Sequence, residues 1–185
     1  MTGVHDREMM RNFLFLLSSG RRNGNSECLA RRAAIEGSDQ TWVDLSDLSL
    51  PAFRDRRPYA PQEDAVIMGL FSDLCRATDI VFVAPVYWYA LPAPAKLLID
   101  HWSGFLDSPD LSFKDRIAGK RLWLISTRAD PNPAVPSAME AMLRQSGGWL
   151  GMAWGGALHG VGDAPGDIKN CTSWMIAPGF LAQNR

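Results

Sequence analysis

The sequence predicts one α/β domain with a doubly wound, five-stranded parallel sheet and helices on both faces. Two short apolar runs, Ile80–Ala84 (IVFVA) and Leu122–Ser126 (LWLIS), are rich in β-branched or aromatic residues, as strands buried on both faces are. Strand-like runs also alternate with helix-like stretches, and parallel neighbours joined by right-handed crossovers place helices on both sides of a sheet. A length of 185 residues suits one such domain.

The predicted elements alternate along the chain. In order, they are strand 13–17, helix 27–36, strand 41–45, helix 64–77, strand 80–84, helix 93–105, strand 122–126, helix 137–146 and strand 152–158. The helix at 93–105 carries apolar residues at helical spacing, so it should cover the sheet. Two adjacent glycines make the last strand the weakest of these assignments.

Three segments outside these elements are predicted to be irregular. Residues 1–11 are polar and without pattern, and we expect a flexible N-terminal tail there, followed by a single domain at 12–185. Residues 51–61, rich in proline and arginine, are predicted to form a loop, and residues 106–119 a polar connection. The sequence leaves the role of residues 160–185 open.

The composition excludes several classes of partner. A formal net charge of −1 gives no basic field for nucleic acid or an anionic membrane. The three cysteines, Cys28, Cys75 and Cys171, lack the spacing of a zinc site or an iron–sulfur cluster. The longest early apolar run, Phe13–Leu17, is too short to span a bilayer. We therefore expect a cytoplasmic protein with no nucleic-acid, membrane or metal partner.

A candidate anion-binding loop follows the first predicted strand. Residues 18–26 read SSGRRNGNS and lead into a helix, whose first amides and dipole favour a negative charge. Ser19 and Ser26 offer hydroxyls, Asn25 offers an amide, and Arg21 offers a charge-assisted contact. The motif lacks the Gly-Lys-Ser/Thr of a Walker loop and the G-x-G-x-x-G of a dinucleotide fold, so a monophosphate fits better than a pyrophosphate. The alternative is an ordinary turn with Asn25 or Ser26 as helix cap.

An aromatic loop follows the third predicted strand. Residues 85–92 read PVYWYALP, and ligands of open α/β sheets collect beyond the carboxyl ends of the strands. The phosphate loop and this loop could therefore hold the two ends of one ligand. Tyr87, Trp88 and Tyr89 could instead be core or subunit-contact residues. Because consecutive side chains point in different directions, at least one of them should face a ligand or a partner.

The motifs SSGRRNGNSE, DLSDLSLPAF and PVYWYALPAPAKLLIDHW resemble the NAD(P)H-dependent FMN reductase family, the flavodoxin-like quinone, azo and metal-ion reductases. The resemblance covers residues 13–158. It implies the sheet order 2-1-3-4-5, FMN as cofactor and NAD(P)H as co-substrate. The family's phosphate loop usually reads Gly-Ser-Pro-Arg-x-Asn-Gly-Asn-Thr, and Ser18, Gly20 and Ser26 depart from it here.

The resemblance also implies a set of cofactor-binding residues. Ser19, Arg21, Asn25 and Ser26 would hold the FMN phosphate, with Asn23 shaping the loop. The flavin ring and ribityl chain would contact Pro85, Val86, Tyr87, Trp88 and Tyr89. The loop after the fourth strand would add Ser126 and Thr127, although it lacks the glycine pair often found there.

The expected function is a reductase in which hydride passes from NAD(P)H to flavin N5 and the electrons then pass to a small acceptor, such as a quinone, an azo or nitro compound or a metal ion. An alternative is a flavodoxin-like electron carrier between protein partners, and a third is a flavin-free module for another phosphate ligand. No catalytic acid or base is assigned. His101 is expected to be structural, while His159 could lie near the site. The seven tryptophans suggest a homodimer or homotetramer.

Overall fold

Five parallel strands form the centre of the protein in a computed structural model that describes residues 11–57 and 64–183. The strands are β1 (Asn12–Leu17), β2 (Asp39–Asp44), β3 (Asp79–Pro85), β4 (Arg121–Arg128) and β5 (Ala153–Val161). They lie in the order β2-β1-β3-β4-β5. The predicted fold class and the strand order implied by the resemblance are both confirmed.

Six α-helices connect or follow these strands within the described residues. They are α1 (Asn25–Ala33), α2 (Ala65–Arg76), α3 (Ala93–Leu106), α4 (Phe113–Ile117), α5 (Ser137–Trp149) and α6 (Thr172–Phe180). Helices α2, α3, α4 and α5 share one buried cluster with the sheet, and α1 and α6 share the other. Successive strand residues alternate between these faces, so Leu14 and Leu16 face the first cluster while Phe13 and Phe15 face the second.

The predicted polar connection at 106–119 contains structure that the sequence pattern missed. Residues Pro109–Leu111 form a 3-10 helix, and α4 buries Phe113 and Ile117. The Phe113 ring lies 5.2 Å from that of Phe105 and 6.0 Å from that of Phe71, centroid to centroid. A helix of five residues is too short to show helical periodicity, so the prediction of a connection without structure was wrong.

The chain beyond Gly160, left open by the sequence, closes the second face of the sheet. The 3-10 helix Asp167–Asn170 buries Ile168, and α6 buries Ala177 and Phe180. The Phe180 ring meets Trp123 of β4 edge to face, with centroids 5.3 Å apart. This segment therefore completes the domain core.

A buried carboxylate organises the amino ends of the central strands. Asp79 begins β3, is fully buried and pairs with the guanidinium of Arg11. It also accepts hydrogen bonds from Trp123 Nε1 at 2.8 Å and from the Thr78 hydroxyl at 2.8 Å. Arg11 in turn donates to the carbonyl of Leu181 at 2.6 Å, which ties the end of the chain to the sheet. Arg11 is thus part of the packed domain, while the rest of the predicted tail, residues 1–10, lies outside the described residues.

Burial alone would raise the pKa of Asp79, but the hydrogen bonds from Arg11, Trp123 and Thr78 and the charge of Arg11 hold it below its ordinary value. The ionised carboxylate therefore stabilises the folded state. Because the pKa is lower in the folded chain than in the unfolded chain, this contribution is fully present above about pH 4, the ordinary Asp value, and is lost as the pH falls below it.

Replacing Asp79 with Asn should lower the free energy of unfolding by about 3 kcal/mol at pH 7, because Arg11 is left without its buried partner. Urea denaturation of both proteins from pH 7 to pH 3 measures the difference, which should shrink below about pH 4. Asp55→Asn, which removes an exposed partner of Arg57, is the control and should change stability little. A difference between wild type and D79N that stays constant down to pH 3 would contradict this account.

Candidate functional site

A cavity of about 240 Å³ opens where the carboxyl ends of β1, β3 and β4 meet. Its walls come from four segments: Ser19, Arg21, Gly24, Asn25 and Ser26 after β1; Pro85, Val86 and Tyr87 at the end of β3; Thr127, Arg128 and Ala129 at the end of β4; and Gly162 and Asp163 after β5. This is the edge at which open parallel sheets bind ligands.

A larger cavity, of about 310 Å³, lies between residues 51–57 and α3 and shares no lining residue with the first. Its charges oppose one another, since Arg54, Arg56 and Arg57 face Asp55, Asp64 and Asp107. The cavity of about 240 Å³ lies at the carboxyl edge of the sheet, where open parallel sheets bind ligands, and we take it as the candidate functional site for that reason.

The loop between β1 and α1 is tightly closed. Gly24 is buried, and a Cβ there would lie 3.2 Å from the Arg21 carbonyl oxygen, tighter than most real contacts. Asn23 adopts a φ of 52°, a left-handed conformation that Asn tolerates, and its N–H donates to the Glu27 carboxylate at 2.8 Å. These interactions fix the shape of the loop.

Helix α1 begins without a side-chain cap although its start is buried. Gly24 is the N-cap residue, no side chain of the described residues accepts a hydrogen bond from the first turn, and Asn25 and Ser26 are both buried. The first amides of a helix have no partner within the helix, and at a buried end they require one from elsewhere. The alternative prediction, an ordinary turn in which Asn25 or Ser26 caps the helix, is wrong, because Gly24 is the N-cap residue.

Two of the predicted phosphate ligands are engaged by distant parts of the chain. The hydroxyls of Ser26 and Thr127 lie 2.6 Å apart and are buried, which joins α1 to the end of β4. Asn25 Nδ2 donates to the carbonyl of Ala164 and its Oδ1 accepts from the N–H of Gly166, both at 3.0 Å. Asn25 therefore holds the loop after β5 against the cavity, with one amide hydrogen left over.

The two arginines of the loop differ in their surroundings. The Arg22 guanidinium contacts both carboxylate oxygens of Asp47 at 2.6 Å. Arg21 lines the cavity, is exposed and has no ion-pair partner among the described residues. Of the two arginines in this loop, Arg21 is thus the one available to a ligand. Asp163 is the one carboxylate among the described lining residues.

The aromatic loop is a tight turn that presents its side chains outward. Tyr87 and Ala90 exchange backbone hydrogen bonds of 3.2 and 3.0 Å across Trp88 and Tyr89, whose φ values are 51° and 64°. Two consecutive positive φ values are the pattern of a type I′ turn, which usually takes Asn or Gly. Trp88 is 94% exposed and Tyr89 60% exposed, and neither lines the cavity, whereas Tyr87 does.

Ser126 lies away from the cavity. It is inside β4, not in a loop after it, and its hydroxyl is 2.7 Å from His159 Nδ1. The other ring nitrogen of His159 is 2.9 Å from a Glu140 carboxylate oxygen. Since strand residues alternate between faces, Thr127 reaches the cavity while Ser126 does not. The predicted loop assignment of Ser126 and Thr127 was wrong, because β4 continues to Arg128.

The remaining predicted residues fall as follows. His101 Nε2 is 2.8 Å from the Pro51 carbonyl oxygen, in the structural role expected for it. Arg128, Gly162 and Asp163 line the cavity but were not predicted as site residues. Arg128 could have been found from the sequence, because it directly follows Thr127, a predicted site residue. The predicted fifth strand ended at residue 158, three residues before the end of β5. The sequence pattern therefore did not locate the loop that carries Gly162 and Asp163.

The sequence model of a protein family described as "Flavodoxin-like fold" matches residues 12–167. The chain belongs to this flavodoxin-like family. Within the described residues, no helix is long and apolar enough to cross a membrane. Nor do the described Cys, His, Asp and Glu residues form a cluster that could hold a metal ion.

Relatives of this flavodoxin-like chain carry oxidoreductase names. A Bacillus subtilis (strain 168) protein, YwqN, whose name describes an NAD(P)H-dependent FMN-containing oxidoreductase, is 27% identical over 157 residues, which are 80% of this chain and 83% of that protein.

Solved structures share the fold at lower identity. The Trp repressor binding protein from Bacillus subtilis superposes with a TM-score of 0.71 at 21% identity, over 93% of this chain and 99% of that one. An NAD(P)H:quinone oxidoreductase from Methanothermobacter marburgensis gives 0.70 at 14% identity, over 94% and 96%. An FMN-dependent NADH-azoreductase from Bacillus anthracis str. Ames Ancestor, in complex with FMN, gives 0.62 at 11% identity, over 93% and 98%.

Proposed function

We propose that this protein is an FMN-dependent NAD(P)H oxidoreductase that passes electrons to a small acceptor such as a quinone, an azo or nitro compound or a metal ion. The observation that carries the proposal is the buried, uncapped start of α1 at the carboxyl edge of the sheet. The name of the Bacillus subtilis relative supports the choice of FMN and NAD(P)H.

The loop after β1 fits a phosphate. The first-turn amides of α1 need acceptors, the helix dipole favours an anion, and Arg21 on the same wall pairs with no carboxylate of the described residues. Gly24 lines the cavity, and a Cβ there would press on the Arg21 carbonyl oxygen, so glycine lets the loop close around this wall. Ser19 and Ser26 add hydroxyl donors on the same wall.

The other wall fits the heterocycle. Pro85, Val86 and Tyr87 give apolar and aromatic surface together with backbone polar groups. The volume of about 240 Å³ is below the ~300–1,000 Å³ of pockets that enclose a drug-sized ligand. We therefore propose that the phosphate and ribityl chain occupy the cavity while the ring extends past Tyr87 toward Trp88 and Tyr89. A flavin ring that is exposed in this way would leave room for a nicotinamide and for an acceptor.

When bound, FMN supplies the two-electron chemistry, accepting a hydride at N5 and returning the electrons to the acceptor. The chain's part is to bind and orient. The phosphate loop fixes one end of the cofactor, and the bond from Val86 N–H to the Thr127 carbonyl, 2.8 Å, holds the ring-side wall in place. Asp163 is the one titratable carboxylate on the described walls, and we assign no acid–base role to it.

The assay of function is steady-state oxidation of NADH and NADPH by purified protein loaded with FMN, with a quinone as acceptor. We expect the protein to bind FMN, shown by visible absorbance, and to consume at least one of the two nicotinamides. Protein that binds FMN but oxidises neither, while exchanging electrons with a protein reductase, would be a carrier instead. Protein that takes up no FMN would be a module for another phosphate ligand.

Arg21→Gln should raise the dissociation constant of FMN about tenfold or more, since a hydrogen bond to a charged group contributes about 1.5–3 kcal/mol. Binding of riboflavin, which lacks the phosphate, should hardly change. Arg22→Gln is the matched control, because that guanidinium already pairs with Asp47, and it should alter FMN affinity less than about twofold. Fluorescence titration of the apoproteins measures the FMN and riboflavin affinities of the wild type and of both variants. Equal effects of the two substitutions would contradict the assignment of Arg21.

We also propose that the chain forms a homodimer or homotetramer. Trp88, Trp149, Met175 and Ile176 are large apolar side chains exposed on the single chain. The aromatic turn at Trp88 and the adjacent Met175 and Ile176 of α6 each give contiguous exposed apolar surface, which marks a contact with another molecule. Size-exclusion chromatography with light scattering should give a multiple of the chain mass at micromolar concentration, and a monomer there would refute the proposal.

A further inference from the structure

The loop after β5, residues 162–167, forms one wall of the cavity and folds back on itself. Two of its residues, Gly162 and Asp163, line the cavity. One carboxylate oxygen of Asp167 accepts hydrogen bonds from the N–H groups of Asp163 and Ala164, at 3.1 and 2.8 Å. These two bonds make the loop a compact unit, whose position at the cavity is set by its contacts with other segments.

Asn25, at the start of α1, connects this loop to the phosphate loop. Its Nδ2 donates to the carbonyl of Ala164, and its Oδ1 accepts from the N–H of Gly166, both at 3.0 Å. Asn25 is buried, so an unpaired amide there would be unfavourable. A Cβ on Gly162 would lie 3.0 Å from Asn25 Nδ2, tighter than most real contacts, so glycine lets the loop lie this close to the amide.

These bonds give the Asn25 side chain a different role from the one that the resemblance implies. As a phosphate ligand, Asn25 would direct its amide at the cofactor. Instead, its oxygen and one of its two N–H groups bond to the loop after β5, 139 and 141 positions along the chain. The structure therefore shows the amide as a support of the opposite wall.

The chemistry of that wall differs from the chemistry of the phosphate loop. Asp163 brings a carboxylate to the cavity, which accepts hydrogen bonds and repels a phosphate dianion. The ribityl chain of a flavin carries hydroxyl groups, which can donate to a carboxylate. The wall at residues 162–167 therefore suits the part of the ligand that lies between the phosphate and the ring.

Resting on the proposed function, we propose that residues 162–167 form the wall that meets the ribityl chain of the flavin, and that Asn25 is the positioning residue that holds this wall. A wall that is ordered before binding removes the free-energy cost of ordering it around the ligand. Without the amide of Asn25, the flavin has to order the loop as it binds. Because FMN and riboflavin carry the same ribityl chain, Asn25 raises the affinity for both, whereas Arg21 acts through the phosphate.

Asn25→Ala tests this role when the apoprotein is titrated with FMN and with riboflavin and flavin fluorescence is followed. Both dissociation constants should rise at least about fivefold, because binding then includes the ordering of several loop residues. The ratio of the two constants should stay the same. Asn132→Ala is the matched control, since it removes an amide that bonds to the Ala134 N–H within the loop after β4 and does not line the cavity, and it should change neither constant.

Hydrogen exchange in the wild-type apoprotein tests the same proposal even if Asn25→Ala does not fold. The backbone amide of Gly166, whose acceptor is Asn25 Oδ1, should exchange more slowly than the same amide in an unstructured peptide. Saturating riboflavin should slow this exchange further, as FMN does, because both meet the wall through the ribityl chain. Inorganic phosphate alone should not slow it.

Loss of FMN affinity with riboflavin affinity intact in Asn25→Ala would make Asn25 a phosphate ligand and overturn the proposal. Unchanged affinities for both flavins would overturn it as well, since Asn25 would then serve stability alone. So would a Gly166 amide that exchanges as in an unstructured peptide or that responds to phosphate but not to riboflavin, and wild-type protein that binds FMN but no riboflavin. These results leave the oxidoreductase proposal standing, whereas wild-type protein that binds neither flavin removes both.

Discussion

The site depends on the parallel register of β1, β3 and β4. Leu17 pairs with Val83, and Pro85 pairs with Thr127, so the three strands end at one edge of the sheet. Hydrogen bonds beyond the paired strands extend this alignment, since Ser18 N–H donates to Val83 and Val86 N–H donates to Thr127. The loop after β1, the aromatic turn and Arg128 all start from that edge, which explains how residues more than 100 positions apart line one cavity.

The hydrogen-bond pairing of polar groups differs between the two ends of the sheet. At the amino end, the carboxylate of Asp79 has three side-chain donors, and its lowered pKa shows that the chain itself favours the charge. At the carboxyl end, the first-turn amides of α1 and Nη1 of Arg128 have no side-chain partner among the described residues. Satisfied groups stabilise a fold, and the uncapped start of α1 beside the cavity supports the proposal that an anionic ligand binds there.

The sequence was sufficient for the fold and for locating the two loops that line the candidate cavity, because their signals are local. Buried strands such as Ile80–Ala84 stand out by composition, and Gly24 and Pro85 mark the loops beside them. Contacts between distant segments were not visible. The amide of Asn25 bonds to Ala164, 139 positions away, and the hydroxyl of Ser26 meets Thr127, 101 positions away. No pattern within one segment predicts such pairings.

Errors at strand ends had consequences for individual side chains. The apolar run LWLIS ends at Ser126, but β4 continues through Thr127 and Arg128, whose polar side chains belong to the site and not to the core. Because neighbours on a strand face opposite sides, the extension directs Thr127 to the cavity and Ser126 to His159. The outward turn at Trp88 was equally hidden, since positive φ values normally select Asn or Gly rather than aromatic residues.

The most direct test of the site is the shift of backbone amide resonances when isotopically labelled apoprotein is titrated with FMN. The account predicts that the largest shifts occur at residues 19–27 and at 86–87 and 127–129, around the carboxyl edge of the sheet. Shifts confined to residues 51–57 and α3, which line the other cavity, would contradict it.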